Sequence, residues 1–177
     1  GPQPVTATAL DDRTAVAVPG TQVSCCFPGG CPCESGRPIH SGVTPHTNNA
    51  EIAATTVPRP LLLISNGKDW TRTNHEVEFP FVQYIYSLYG AADRTANIHL
   101  PEEGHDYGPS KRTAMYDFMA RHLGLDNTAI QTAEGAYDES FVVLADPETL
   151  IVFNHDYPRH SLRSAGEGYD ALRPAQQ

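Results

Sequence analysis

Positive charge is scarce in this chain: 12 lysines and arginines face 21 aspartates and glutamates, a formal net charge of −9 over 177 residues. Nucleic-acid binding requires lysine and arginine to neutralise phosphates, so no nucleic-acid partner is expected. Long apolar runs are missing too. The longest, Leu61-Leu62-Leu63-Ile64, is far shorter than the roughly 20 residues that cross a bilayer, and no membrane partner is expected. No basic segment followed by an apolar one opens the chain, so no signal peptide is visible. Were the chain an excerpt of a longer protein, that would say nothing about its compartment. Repeats, like-charge runs and low-complexity segments are absent as well.

What is present is a globular composition, 40% hydrophobic, punctuated by 15 prolines and 14 glycines. The length suffices for one domain with a sizeable core. All four cysteines, Cys25, Cys26, Cys31 and Cys33, fall in one short stretch. Their CC-x4-C-x-C spacing does not match the separated knuckles of structural zinc. A disulfide joining Cys25 or Cys26 to Cys31 or Cys33 is the expectation, with buried thiols as the alternative.

The order of elements points to an α/β fold. Residues 1–12 resemble the end of a helix interrupted by Pro2 and Pro4. Thr14-Ala-Val-Ala-Val-Pro19 and Gln22-Val-Ser24 carry the β-branched pattern of short buried strands. A Gly/Pro/Cys-rich loop follows to about Asn49, then a short helix to Thr56. Pro60-Leu-Leu-Leu-Ile-Ser65 reads as a parallel strand buried on both faces. A helix is expected from about Glu76 to Tyr89, with Phe81, Ile85 and Leu88 on one face and Gly90 as its stop. Ala96-Asn-Ile-His-Leu100 is the next strand. Ser110 is expected to cap a helix through His122, with Met115, Phe118, Met119 and Leu123 inward and Gly124 closing it. Such alternation implies a mostly parallel sheet with flanking helices. Residues 126–177 are expected to form a tail of the same domain as residues 1–125, with Glu139-Ser-Phe-Val-Val-Leu144 and Leu150-Ile-Val-Phe153 as short strands.

In such sheets catalytic groups sit on loops at the carboxyl ends of strands. Ser65-Asn-Gly-Lys-Asp-Trp70 follows one strand and Pro101-Glu-Glu-Gly-His-Asp-Tyr-Gly108 follows the next. Asp69 and His105, one helix apart, match the trailing part of a Ser…Asp…His order. The carboxylate would fix the imidazole tautomer and stabilise the imidazolium. Gly104 is expected to permit the turn that aims the ring. Trp70 and Tyr107 flank this pair as a candidate wall for substrate, although ordinary packing explains them equally well. His99 and His105 with Glu102 and Glu103 do not have a metal-ligand spacing such as H-E-x-x-H. His99 alternates within a strand, Glu102 and Glu103 read as solvated carboxylates, and no metal or cofactor is expected.

Arg59-Pro-Leu-Leu-Leu-Ile-Ser-Asn-Gly-Lys-Asp-Trp-Thr, Leu88-Tyr-Gly-Ala and His99-Leu-Pro-Glu-Glu-Gly-His-Asp-Tyr-Gly-Pro-Ser-Lys-Arg resemble the acetyl-xylan-esterase-like branch of the dienelactone-hydrolase-type α/β-hydrolases. Ala50-Glu-Ile-Ala-Ala, Gly29-Gly-Cys-Pro-Cys-Glu-Ser-Gly36 and Glu139-Ser-Phe-Val fit the same branch. The resemblance extends from about Ala9 to Phe153 and implies the C-terminal half of an α/β-hydrolase. It also implies Asp69 as acid, His105 as general base, ester hydrolysis on acetylated carbohydrate, and an extracellular or periplasmic setting. Glu34 lies where the similar glucuronoyl esterases place their acid, and is a second candidate to orient His105.

The family's G-x-S-x-G elbow occurs nowhere in the sequence. Gly1-Pro-Gln-Pro stands where the helix after that elbow should already be under way. Ser35 lacks the flanking glycines, Ser24 has no following helix, and Cys31 or Cys33 would need a depressed pKa; none is taken as the nucleophile. His40, His46 and Asn49 are read as plain loop residues. The expectation is a serine-type ester hydrolase with its acid and histidine in this chain. The alternative is an inactive hydrolase fragment serving as a binding chain. Its open strand edge would invite self-association or a second chain that completes the sheet.

Overall fold

The computed structural model describes residues 3–25 and 47–152. Two units are distinguished, Gly1–Tyr137 and Asp138–Gln177. The first is built around β1 (Leu61–Asn66), all six of whose residues are buried. A continuous apolar run with no polar face forms a strand only where both faces are covered, and here both are. β2 (Thr95–Leu100) pairs with β1 in parallel, from Leu61 opposite Thr95 to Asn66 opposite Leu100. On the other edge of β1 runs the segment expected as the first strand. It makes parallel bridges from Ala17 to Leu61 and from Gly20 to Ile64. The Leu62 N–H donates to the Ala17 carbonyl at 2.9 Å and the Thr21 N–H to the Ile64 carbonyl at 2.8 Å. β1 is therefore the middle of the three.

Helices cover the two faces. Alternate residues of β1 point to opposite sides. Leu61 and Leu63 pack with Val5, Ala53, Val82 and Tyr86, from α1 (Gln3–Leu10), α2 (Asn49–Ala54) and α3 (Glu78–Leu88). Leu62 and Ile64 pack with Phe118 of α4 (Pro109–Leu123), alongside Val16, Val18 and Ala114. α2 begins at a capping box: the Asn48 side chain accepts from the Ala50 and Glu51 N–H groups, and Glu51 reaches back to the Asn48 N–H. α4 ends at Gly124, whose φ of 65° is the left-handed conformation expected of a helix-closing glycine.

Four local expectations are corrected, the first at Leu123, which was expected inward on α4 and is 42% exposed. α3 buries Glu78, Val82 and Tyr86, whereas Phe81 and Leu88 are 40% and 63% exposed. The buried stripe is chosen by long-range partners. Tyr86 donates its hydroxyl to the Arg59 carbonyl at 2.6 Å, and Glu78 accepts the Cys25 N–H at 2.8 Å. α4 is capped at Gly108 with Pro109 following, and the Ser110 hydroxyl donates instead to Glu103 at 2.7 Å. In the second unit, residues 139–144 run as turn and irregular chain, and a 3-10 turn, Pro147–Leu150, precedes 151–152. Val143 and Leu144 are 91% and 88% exposed. A strand needs a neighbour for its backbone groups, and none pairs with these segments among the described residues.

Candidate active site

The loops after β1 and β2 are drawn together by backbone hydrogen bonds. The Gly67 N–H donates to the Leu100 carbonyl at 2.9 Å and the Lys68 N–H to the Glu103 carbonyl at 3.0 Å. Contact is so close that a Cβ on Gly67 would lie 2.0 Å from the Pro101 carbonyl oxygen. The sterically required glycine is thus Gly67. Gly104, expected to fill that role beside His105, has no positive φ and open space around it.

Asp69 is held on several sides. Its Oδ1 accepts the Thr71 N–H at 2.7 Å and the Thr71 hydroxyl at 2.5 Å, while Oδ2 accepts the Asn66 amide at 2.8 Å. Its side chain is only 2% exposed. His105 Nδ1 lies 3.4 Å from Asp69 Oδ2, and its ring is half exposed. That separation is slightly beyond the usual 2.6–3.2 Å range, as is common for catalytic pairs without substrate. Asp69 favours the tautomer with hydrogen on Nδ1, leaving the Nε2 lone pair for proton transfer. Asp69 and His105, singled out from two separate loops, are brought together.

The flanking aromatics diverge. Trp70 packs on His105 with ring centroids 4.2 Å apart and planes inclined at 38°, and its buried indole N–H has no hydrogen-bond partner among the described residues. Tyr107 instead turns towards the edge segment, its ring 2.9 Å from where a Cβ on Gly20 would sit. It lines a cavity of about 320 Å³ with Val16, Val18, Met115 and Met119. Burial pushes the Tyr107 phenol above its ordinary pKa. Glu34, Ser35, His40, His46, Cys26, Cys31 and Cys33 lie outside the described residues, and with them the disulfide expectation. Ser24 and Asn49 are buried. Among the described residues no serine hydroxyl bonds to His105.

Some residues have roles the sequence did not signal. His99 Nδ1 is 2.9 Å from the buried Ser65 hydroxyl, and its ring stacks on His75 with centroids 3.9 Å apart. Burial, and then the neighbouring His75, hold the His99 pKa below its ordinary value. Glu102 is solvated as expected, 3.2 Å from Lys68 at the surface. Glu103 is not. The fully buried Lys111 ammonium lies 2.6 Å from both Glu103 Oε2 and Asp106 Oδ1. Lys111 holds both carboxyls below their usual range, with help from Ser110 at Glu103 and the Gly108 N–H at Asp106. A lysine in the first turn of a helix opposes the macrodipole, and that was the available hint of carboxylate partners nearby. The clamping of Asp69 by Asn66 and Thr71 had no comparable signal.

No protein-family model matches the chain, and no curated protein does. Among solved structures it is similar to "Methylesterase BT1017", with a TM-score of 0.62 and 48% identity over 69% of this chain. It is also similar to a carbohydrate esterase family 15 glucuronoyl esterase from Caldicellulosiruptor kristjansonii, with a TM-score of 0.53 and 19% identity over 81% of this chain. The chain spans 28% of the first protein's length and 44% of the second's. With a parallel sheet covered on both faces and these two structures as its likenesses, the chain has an esterase-like α/β-hydrolase fold.

Proposed function

We propose that this chain carries the acid and general base of a serine-type carboxylic ester hydrolase acting on small esters of carbohydrate. The observation that carries the reading is Asp69, buried and hydrogen-bonded by Asn66 and Thr71, with His105 Nδ1 3.4 Å from its carboxylate. In that arrangement Asp69 orients the ring through Nδ1–H and stabilises the imidazolium. Nε2 takes the proton of a serine hydroxyl as its oxygen attacks the ester carbonyl. The same proton then passes to the leaving alcohol, and a second cycle with water releases the acid. The nucleophile and the oxyanion donors are to be supplied by residues outside those described.

The methyl ester is favoured as the substrate group, because the structure sharing 48% identity is called a methylesterase. The acetyl ester implied by the family resemblance is the alternative. A chimera tests both the reading and the choice: this chain replaces the matched part of the methylesterase, and hydrolysis of a methyl uronate and of p-nitrophenyl acetate is measured. Turnover is expected, with His105→Ala lowering kcat by roughly 10⁶-fold and Asp69→Asn by roughly 10⁴-fold. A folded chimera whose turnover is indifferent to His105→Ala would overturn the proposal.

A further inference from the structure

A buried ammonium is costly unless it is well paired, and one in a helix's first turn also opposes the macrodipole. Lys111 incurs both costs. It is 0% exposed and is the third residue of α4. Its two partners lie either side of the histidine in sequence: Glu103 two residues before His105 and Asp106 immediately after it, each 2.6 Å from Nζ. Trp70 packs on the His105 ring, but that ring is half exposed, and among the described residues a Cβ on Gly104 would meet nothing within 4 Å.

The clamp also reaches the acid. Glu103, whose carboxylate binds Lys111 and Ser110, offers its backbone carbonyl to the N–H of Lys68, the residue before Asp69. One buried cation is thereby connected to the histidine loop on both sides and, through a single backbone hydrogen bond, to the aspartate loop.

We infer that Lys111 is a positioning residue for His105, pinning Glu103 and Asp106 so that the imidazole stays within reach of Asp69. The inference deepens the proposed function and rests on its Asp69–His105 pair, but its test does not need turnover. Lys111 touches neither ring nor carboxylate of that pair, so its effect is read as a coupling between them.

The measurement is the pair of ring ¹⁵N chemical shifts of His105 in the full chain, which report the share of neutral ring carrying hydrogen on Nδ1, made for wild type, Asp69→Asn, Lys111→Met and the double variant. Methionine keeps most of the unbranched stem while removing the charge. In wild type, Asp69→Asn is expected to lower the Nδ1–H share by about twofold or more, because the carboxylate that accepts from Nδ1 is lost. In the Lys111→Met background the same substitution is expected to change that share by about a third as much or less. An undiminished change would overturn the inference. Should Lys111→Met fail to fold, Asp106→Asn replaces it. Asp106 is 61% exposed, and its loss leaves the Glu103 pair intact. A reduced effect of Asp69→Asn in that background is expected, and an undiminished one again overturns the inference. A wild-type His105 tautomer indifferent to Asp69→Asn would end both the pair and the clamp. A failed esterase assay with normal His105–Asp69 coupling would count against the proposed function alone.

Discussion

Gly67→Ala should separate the loops that carry Asp69 and His105 and destabilise the fold together. A Cβ at this position lies 2.0 Å from the Pro101 carbonyl oxygen, 2.7 Å from its carbon and 2.8 Å from its Cα. All three are backbone atoms and no rotamer change relieves them. Close C···O contacts in proteins stop at roughly 3.3 Å, so the loops must part by about 1.3 Å. The Gly67–Leu100 and Lys68–Glu103 backbone hydrogen bonds, 2.9 and 3.0 Å long, span that gap. Losing both costs about 2 kcal/mol, and the overpacking adds about 1–3 kcal/mol, for a total of about 3–5 kcal/mol. That is a large share of the roughly 5–15 kcal/mol that stabilises an ordinary domain. With a urea m-value near 2 kcal/mol/M, the unfolding midpoint should drop by about 1.5–2.5 M. Gly104→Ala is the control, because an added Cβ there meets nothing within 4 Å and no positive φ is required. It should stay within about 0.5 kcal/mol of wild type. A Gly67→Ala midpoint no lower than that of Gly104→Ala would refute the reasoning.

Two further outcomes follow from buried polar groups. Tyr86→Phe deletes a hydroxyl that donates to the Arg59 carbonyl at 2.6 Å from a fully buried ring, and should cost about 1–2 kcal/mol by urea unfolding; no measurable change would mean that this bond contributes nothing. His99 provides a pH signature: burial and His75 hold its folded pKa below the ordinary value of 6.5, so the unfolded chain binds more protons between those two values. Its contribution is therefore complete above about pH 6.5 and is lost as pH falls through the folded pKa. The Tm of wild type should fall between pH 7.5 and 5.5, and His99→Gln should show a smaller fall; equal falls would assign the loss elsewhere, His122 being the next candidate because burial also lowers its pKa.

Local chemistry by itself determined β1, β2, the helices that follow each of them and the two loops that carry Asp69 and His105. Leu61-Leu62-Leu63-Ile64 has no polar alternate, so it had to be covered on both faces, and the loop after such a strand is where an α/β sheet displays functional groups. Asp69 and His105 were legible because that rule needs only strand order and two residue types. Gly124 was legible because a helix end needs only its own backbone.

The tertiary structure decided what depends on partners far along the chain. Phe81 and Leu88 make as good an apolar stripe as Val82 and Tyr86, and the packing of Val82 and Tyr86 against Leu61 and Leu63, with the Arg59 carbonyl and the Cys25 N–H, decided between them. Residues 139–144 have strand-forming side chains, yet a strand exists only where a neighbour completes its hydrogen bonds, and that neighbour is not local. Gly67, not Gly104, became the required glycine because the constraint is the approach of a second loop, invisible from either loop alone. Lys111 followed the same logic. Folding buries its charge between Glu103 and Asp106, where pairing replaces hydration.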